Sequence, residues 1–252
     1  MSGRQPLLPA AYRLVFHETV GSTNDEAKEL ARQGAAEGTL LWALEQTAGR
    51  GRRGRLWSSP RGNLYLSLIL RPACLPDRAA QLGFVAALAV MDALRELVPG
   101  LDDVACKWPN DVLAGARKIA GILLESEMGE GENLAFLVVG VGVNLVSAPA
   151  AAEFPATSVA GEGHPPPLPA AALEAFARHF DAWSRRWWAR GFGPVREAWL
   201  ARAVALGREI RVRLETATLQ GRFVDIDQLG TLLLDTGGEL RRISAGDVFP
   251  AR

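Results

Sequence analysis

The stretch GRGRRGRLWSSP, residues 49–60, decides between two folds. Its three glycines have the G-x-G-x-x-G spacing of a dinucleotide-binding turn, which must pass from a strand directly into a helix so that the helix N-terminus meets the pyrophosphate. Here the last arginine is followed by Trp57, Ser58, Ser59 and Pro60, and no helix starts there. A Rossmann reading is discarded, and residues 49–55 become a loop. Its glycines allow it to change shape, while Arg50, Arg52, Arg53 and Arg55 offer forked donors suited to phosphate or carboxylate. Taken alone, the stretch suits a loop closing over an anion, a solvated basic turn or an RNA contact.

Working outward, residues 12–20 read as a strand, and Gly21-Ser22 leads into a helix from Thr23, with Glu26 at capping-box spacing and Gly34 where a C′ glycine belongs. Residues 40–45 suit a buried strand and 63–70 (NLYLSLIL) another. A helix over 77–98 carries Leu82, Ala86, Ala89, Ala93 and Leu97 on one stripe. Strands at 104–108 and 118–126 flank turn residues Asn110, Asp111, Ala114 and Gly115, and the nearly continuous apolar run 135–145 predicts a central strand. Residues 148–169 are rich in Pro, Ala and Gly and read as a surface loop. Leu173, Phe176, Phe180, Trp183 and Trp187 then mark a helix stopped by Gly191. From Gly207 the period becomes two, with short strands at 210–214, 218–226, 231–234 and 240–243. These predict a small β-barrel and a division into domains 1–205 and 206–252.

Composition narrows the class. With 48% hydrophobic and 22% charged residues, the chain of 252 is an ordinary globular one, which excludes disordered, collagenous and disulfide-scaffold proteins. Lys plus Arg and Asp plus Glu are 28 each, so no global field draws it to nucleic acid or an anionic membrane. Cys74 and Cys106 fit no metal-ligand spacing; a reducing compartment, the cytoplasm, is expected. No basic segment leads into an apolar h-region, and the apolar run 135–146 is too short to span a bilayer, so neither export by that route nor membrane insertion is expected. His17, His164 and His179 are scattered, which argues against triad and zinc chemistry. Cys106 is the one tempting nucleophile, although a packed thiol is the plainer reading. The cluster of Trp183, Trp187 and Trp188 is read as core or interface.

Lys28, Lys107 and Lys118 are the only lysines. Lys107-Trp108-Pro109-Asn110-Asp111 sets a cation, an aromatic platform and two small polar groups at a strand end, where Asp111 suits a hydrated magnesium ion or an ammonium group, or else a plain turn. Lys118 opens an apolar strand and suits an anion, with Gly121 permitting close approach of a ligand to the backbone. Val139-Gly140-Val141-Gly142-Val143-Asn144 ends a buried strand on an amide that needs partners.

In this order and spacing, residues 21–24 (GSTN), 45–55 (EQTAGRGRRGR), 63–67 (NLYLS), 107–111 (KWPND), 118–123 (KIAGIL) and 140–144 (GVGVN) closely resemble the biotin-protein ligases. The resemblance covers nearly the whole chain. It implies an α+β fold, a mixed sheet flanked by helices like that of class II aminoacyl-tRNA synthetases and lipoate ligases, with a C-terminal SH3-like barrel that assists ATP and carrier binding. It implies two steps: biotin and ATP give biotinyl-5′-AMP, and a lysine of a biotin carboxyl carrier protein then displaces AMP. Such catalysis aligns and neutralises anions and uses no enzyme nucleophile.

By the same resemblance, Ser22, Thr23, Asn24 and Gln46 bind the biotin ureido ring with help from the Gly121 backbone. Arg50, Gly51 and Arg52 belong to the loop over biotin and the adenylate, and Lys118 sits between carboxylate and α-phosphate. Arg52, Arg53, Trp57, Lys107, Asn110 and Asn144 contact ATP or the adenylate. Asn110 and Asp111 match the family's polar pair near phosphate, magnesium and the incoming amine, and beyond the resemblance Asp111 is expected to orient that amine or hold magnesium; Lys118, Arg50, Arg52 and Asp111 are the expected catalytic set. Only about twenty residues precede Gly21, too few for a helix-turn-helix DNA reader, so a ligase without repressor function is expected, with no nucleic acid or membrane partner and a homodimer left open. A lipoate or octanoyl transferase, the latter using Cys106, and an RNA-binding module are the competing readings.

Overall fold

The computed structural model describes residues 5–150 and 154–251. Strands β1 (Arg13–Val20), β2 (Thr39–Gln46), β3 (Leu64–Leu70), β4 (Val104–Lys107), β5 (Asp111–Ala114), β6 (Arg117–Met128) and β7 (Leu134–Val143) form one sheet in the order β1-β2-β3-β7-β6-β5-β4. Only β1 and β2 pair in parallel; the remaining neighbours are antiparallel. This is the mixed sheet expected.

Helix α1 (Thr23–Arg32) covers one face. Ala27 and Ala31, one turn apart, are buried with Leu41, Ile69, Phe136 and Val138 beneath them. The other face packs under helices α2 (Pro76–Ala80), α3 (Leu82–Leu97), α4 (Pro169–Arg190) and α5 (Gly193–Leu200). The predicted stripe of α4 is buried from Leu173 to Trp187, and each fully buried side chain of that size contributes about 1.5–3 kcal/mol. Strands β8 (Glu209–Arg213), β9 (Thr218–Ile226), β10 (Leu232–Asp235), β11 (Leu240–Ile243) and β12 (Asp247–Pro250) form an antiparallel sheet, the SH3-like unit expected, in the order β11-β10-β9-β8-β12. Its apolar side, including Ile210, Val212, Phe223 and Val248, joins the main core.

Several elements depart from the sequence reading. The single helix over 77–98 is broken at Gln81, whose side chain accepts from Trp187 Nε1 at 2.7 Å and donates to the Gln228 carbonyl at 2.9 Å. Thr23 does not cap α1: Ser22 is the N-cap, without a side-chain cap bond, and the Thr23 hydroxyl is used elsewhere. Residues 111–114 are a strand rather than turn, and α5 and β12 were not foreseen. Among the described residues no helix is long and apolar enough to cross a membrane.

Candidate active site

Beyond the N-terminus of α1 the covered face of the sheet loses its side chains. Ser67 opposes Gly140, which opposes Leu123; one row on, Tyr65 opposes Gly142, Gly142 opposes Gly121, and Gly121 opposes Asp111. Side chains alternate between faces, so Val139, Val141 and Val143 fill the core while Gly140 and Gly142 leave bare backbone on the opposite side. The result is a cleft of about 750 Å³ with a backbone floor. A Cβ at Gly140 would lie 2.1 Å from Asn24 Oδ1, one at Gly142 2.5 Å from Trp57 Nε1, and one at Gly121 3.0 Å from Lys118 Nζ. These three glycines admit the groups that line the site.

One end of the cleft is a neutral polar network. Thr23 donates to Gln46 Oε1 from its backbone N–H at 2.8 Å and from its hydroxyl at 3.0 Å, and Gln46 Nε2 donates to Ser59 Oγ at 2.9 Å. Ser67 Oγ lies 2.8 Å from Thr23 Oγ1 and 2.6 Å from Asn24 Oδ1. Asn24 Nδ2 donates to Glu125 Oε2 at 2.8 Å, and Lys28 Nζ reaches Glu125 Oε1 at 2.8 Å. Burial alone would raise the Glu125 carboxyl, but the bonds from Lys28 and Asn24 hold it below the usual range. Ser22, Thr23 and Asn24 are all buried. The Thr23 and Asn24 side chains are held by these bonds before any ligand arrives.

The other end is charged. Lys118 Nζ is 2.6 Å from Asp111 Oδ1, Lys107 Nζ is 3.5 Å from Asp111 Oδ2, and Lys118 stands over the Trp57 ring at 5.1 Å. Burial pushes the Lys107 ammonium down, against the pull of Asp111. Asn110 Oδ1 accepts from Arg52 at 3.3 Å while its Nδ2 donates to the Ile122 carbonyl at 2.6 Å. Asn144 Nδ2 donates to the Thr157 carbonyl at 2.9 Å, whereas its buried Oδ1 has no partner, on a residue lining the cleft. Trp57 Nε1 is likewise buried without a partner. Such orphaned groups are costly unless a ligand pairs them.

The arginine stretch folds over this cleft as a tight hairpin. Arg50 bridges Leu56, Gly51 N–H donates to the Arg55 carbonyl at 2.7 Å, and Trp57 N–H donates to the Gly49 carbonyl at 2.9 Å. Arg53 and Gly54 take φ of 55° and 71°, the left-handed region that favours glycine at 54. Arg50 pairs with Asp25 and, at 3.2 Å, with Glu125. Arg52 reaches the Gly246 carbonyl at 3.4 Å, and burial lowers its guanidinium pKa, with Asp247 opposing. Arg53 and Arg55 meet Asp247 at 3.5 and 2.6 Å.

The cleft therefore gathers every site residue expected from the sequence except Arg53, which joins the loop beside it. The environment corrects one detail and adds to two others. Trp108 is no platform: it is buried, and its Nε1 donates to the Gly230 carbonyl at 3.0 Å. Arg50 lines the cleft while pairing with the Asp25 and Glu125 carboxylates. Asp111 is a poor fit for a metal of its own, because two ammonium groups already face its carboxylate; among the described residues no three His, Cys, Asp or Glu side chains cluster for a metal. Reading the sequence missed Ser59, Ser67, Glu125, Phe154 and Asp247. A serine among the apolar residues of 63–70 was a visible signal; the others reach the site from distant segments.

Cys106 does not line the cleft. It is fully buried, 3.1 Å from Met91 Sδ, and burial pushes its thiol up to about 12. This removes the octanoyl-transferase chemistry. Replacing Cys106 with alanine is expected to cost about 1–2 kcal/mol of stability and to leave turnover within about twofold, read by melting and activity side by side.

Comparison with known proteins matches residues 16–144 to the biotin/lipoate A/B protein ligase family and residues 205–249 to the biotin protein ligase C terminal domain. The biotin--[acetyl-CoA-carboxylase] ligase of Paracoccus denitrificans is 45% identical over 90% of this chain and 96% of its own. The biotin protein ligase of Aquifex aeolicus, solved with biotin and ATP, superposes with a TM-score of 0.78 at 26% identity, covering 94% of this chain and 97% of that one. That of Leishmania major with biotinyl-5-AMP gives 0.64 at 28% identity, over 92% and 98%.

Proposed function

The chain belongs to the biotin protein ligase family, and from that premise we propose which residues carry the reaction in this cleft. As a member it activates biotin with ATP to biotinyl-5′-AMP and transfers the biotinyl group to a lysine of a carrier protein. In the first step a biotin carboxylate oxygen attacks the α-phosphorus, and the bond to pyrophosphate breaks. In the second the lysine amine attacks the acyl carbon, AMP leaves with the bonding electrons, and the amine loses its proton.

Biotin lies on the glycine floor with its ureido ring toward Ser22, Thr23, Asn24 and Gln46, and its carboxylate toward Lys118. The adenylate takes the other end, where Trp57 and the unpaired Asn144 Oδ1 meet the nucleotide and Lys107, Lys118 and Arg52 face the phosphate. Two anions must approach within bonding distance, and cations already held in a low-dielectric cleft offset that repulsion. Asp111 acts on ammonium groups: a carboxylate that already accepts Lys107 and Lys118 is set to orient a third, the carrier lysine. Asp111, which already accepts Lys107 and Lys118, would not hold a magnesium ion of its own; magnesium brought with the nucleotide would supply further neutralisation of phosphate charge. The two parts, 1–205 and 206–252, serve one site; the cytoplasm is the compartment and a carboxylase carrier domain the partner. No nucleic acid enters this reading, since Arg50, Arg53 and Arg55 are paired with carboxylates.

The observation that carries the assignment is Lys118 at the rim of a backbone floor, ion-paired to Asp111. Purified chain, labelled biotin, ATP, magnesium and a carrier domain should give labelled carrier on a gel; no ATP-dependent label defeats the reading. Arg52→Gly should leave adenylation measurable while releasing biotinyl-5′-AMP about tenfold faster, seen as stray biotinylation of bystander protein. Unchanged release would remove the lid role.

A further inference from the structure

We infer that Asp247, the first residue of β12, is a positioning residue that fastens the arginine hairpin to the C-terminal barrel and thereby sets how long the adenylate is retained. The hairpin is strung between two acidic anchors. On the α1 side Arg50 pairs with Asp25 and Glu125. On the barrel side Arg55 donates to both Asp247 oxygens, at 3.3 and 2.6 Å, Arg53 meets the same carboxylate at 3.5 Å, and Arg52 reaches the neighbouring Gly246 carbonyl at 3.4 Å. Within the barrel, Arg213 on β8 steadies Asp247 at 3.1 Å. The carboxylate is 6% exposed. Burial would raise it, yet hydrogen bonds from Arg55 and Arg213 hold it at about 2, so it stays charged through any working pH.

Three of the four loop arginines are thus held by one corner of the barrel, and a bidentate guanidinium–carboxylate pair fixes direction as well as distance. Among the described residues, the hydrogen-bond partners of the Thr23, Asn24 and Gln46 side chains come from the catalytic sheet and its loops, not from the barrel. Its effect should therefore fall on the nucleotide end and on escape of the intermediate.

The assignment rests on the adenylate-forming reading above, and the test separates the two. In Asp247→Asn, release of biotinyl-5′-AMP should rise about tenfold and KM for ATP by a similar factor, with KM for biotin within about twofold and the melting midpoint little changed. Asp247→Glu should recover most of the retention. Should Asp247→Asn unfold the barrel, Arg55→Gln approaches the same pair from the loop; combined with Asp247→Glu or Asp247→Asn its effect on release should be less than additive. An unaltered chain that forms no biotin-dependent adenylate defeats the earlier reading. A chain that forms adenylate, with Asp247→Asn holding it as long as before or the two changes adding independently, overturns the role of Asp247 alone.

Discussion

Replacing Lys118 with alanine should lower biotinyl-5′-AMP formation by about a thousandfold while leaving the fold in place. The ammonium stands at the rim of the glycine floor, 2.6 Å from Asp111 and 5.1 Å from the Trp57 ring centre. Its charge is most valuable when carboxylate and α-phosphate close on each other, because negative charge then concentrates between them beside a half-buried ammonium. Stability should fall by only about 1–2 kcal/mol, since Asp111 keeps Lys107 as a partner at 3.5 Å and is not left alone. ATP–pyrophosphate exchange measures the first step directly, and near-normal exchange would contradict the role. Lys118→Arg should not restore the rate, because a planar fork on a longer stem cannot take the position of a compact ammonium packed against Gly121. Supplied with preformed biotinyl-5′-AMP, the alanine variant should transfer biotin to the carrier with a smaller defect, as the two anions are already joined.

The glycine floor was legible before any coordinates, because its signal is local. Valine and glycine alternate over 139–143, and a strand of period two sends one set into the core and the other into the cleft. The same holds for Gly121 between Ala120 and Ile122. The assignment of Ser22, Thr23, Asn24 and Gln46 came from family resemblance, and the geometry supplies the physical reason for grouping three of them: Ser67 and Ser59 tie Thr23, Asn24 and Gln46 into one network, while Ser22 precedes them as the N-cap of α1. What stayed hidden depends on contacts between distant segments. Glu125 sits in the middle of β6 and looks like a solvent-facing charge until Asn24, Lys28 and Arg50 converge on it. Asp247 is separated from Arg55 by 192 positions, and nothing near it in sequence marks it. Strand β5 escaped notice because its four residues lie between the turn chemistry of Pro109-Asn110 and that of Gly115, where local turn preference outweighs a short apolar stretch. The break at Gln81 has the opposite origin: its amide bonds to Trp187 and to the Gln228 carbonyl, distant partners that helical periodicity cannot show.

Gly140→Ala is expected to raise the KM for biotin by about a hundredfold, the second-largest effect of a single change, although it adds one methyl group. That methyl would sit 2.1 Å from Asn24 Oδ1 and under 3 Å from the rest of the amide, so Asn24 must move. It cannot do so freely: it is 5% exposed, its Oδ1 accepts from Ser67 at 2.6 Å, and its Nδ2 donates to Glu125 at 2.8 Å. Displacing it breaks these bonds together, loosens Glu125 from the anchor of Arg50 and leaves buried polar groups unmatched, at about 1–3 kcal/mol of stability. If overpacking against Asn24 is the cause, Asn24→Ala alone should weaken biotin binding comparably, and the double variant should be no worse than the more severe single one, because the second change removes what the first collides with. Gly193→Ala, with open space around its Cβ, is the control for adding a methyl group elsewhere. Full additivity of the Asn24 and Gly140 effects on KM would mean that the methyl acts on biotin directly, and that the floor rather than the amide network sets the affinity.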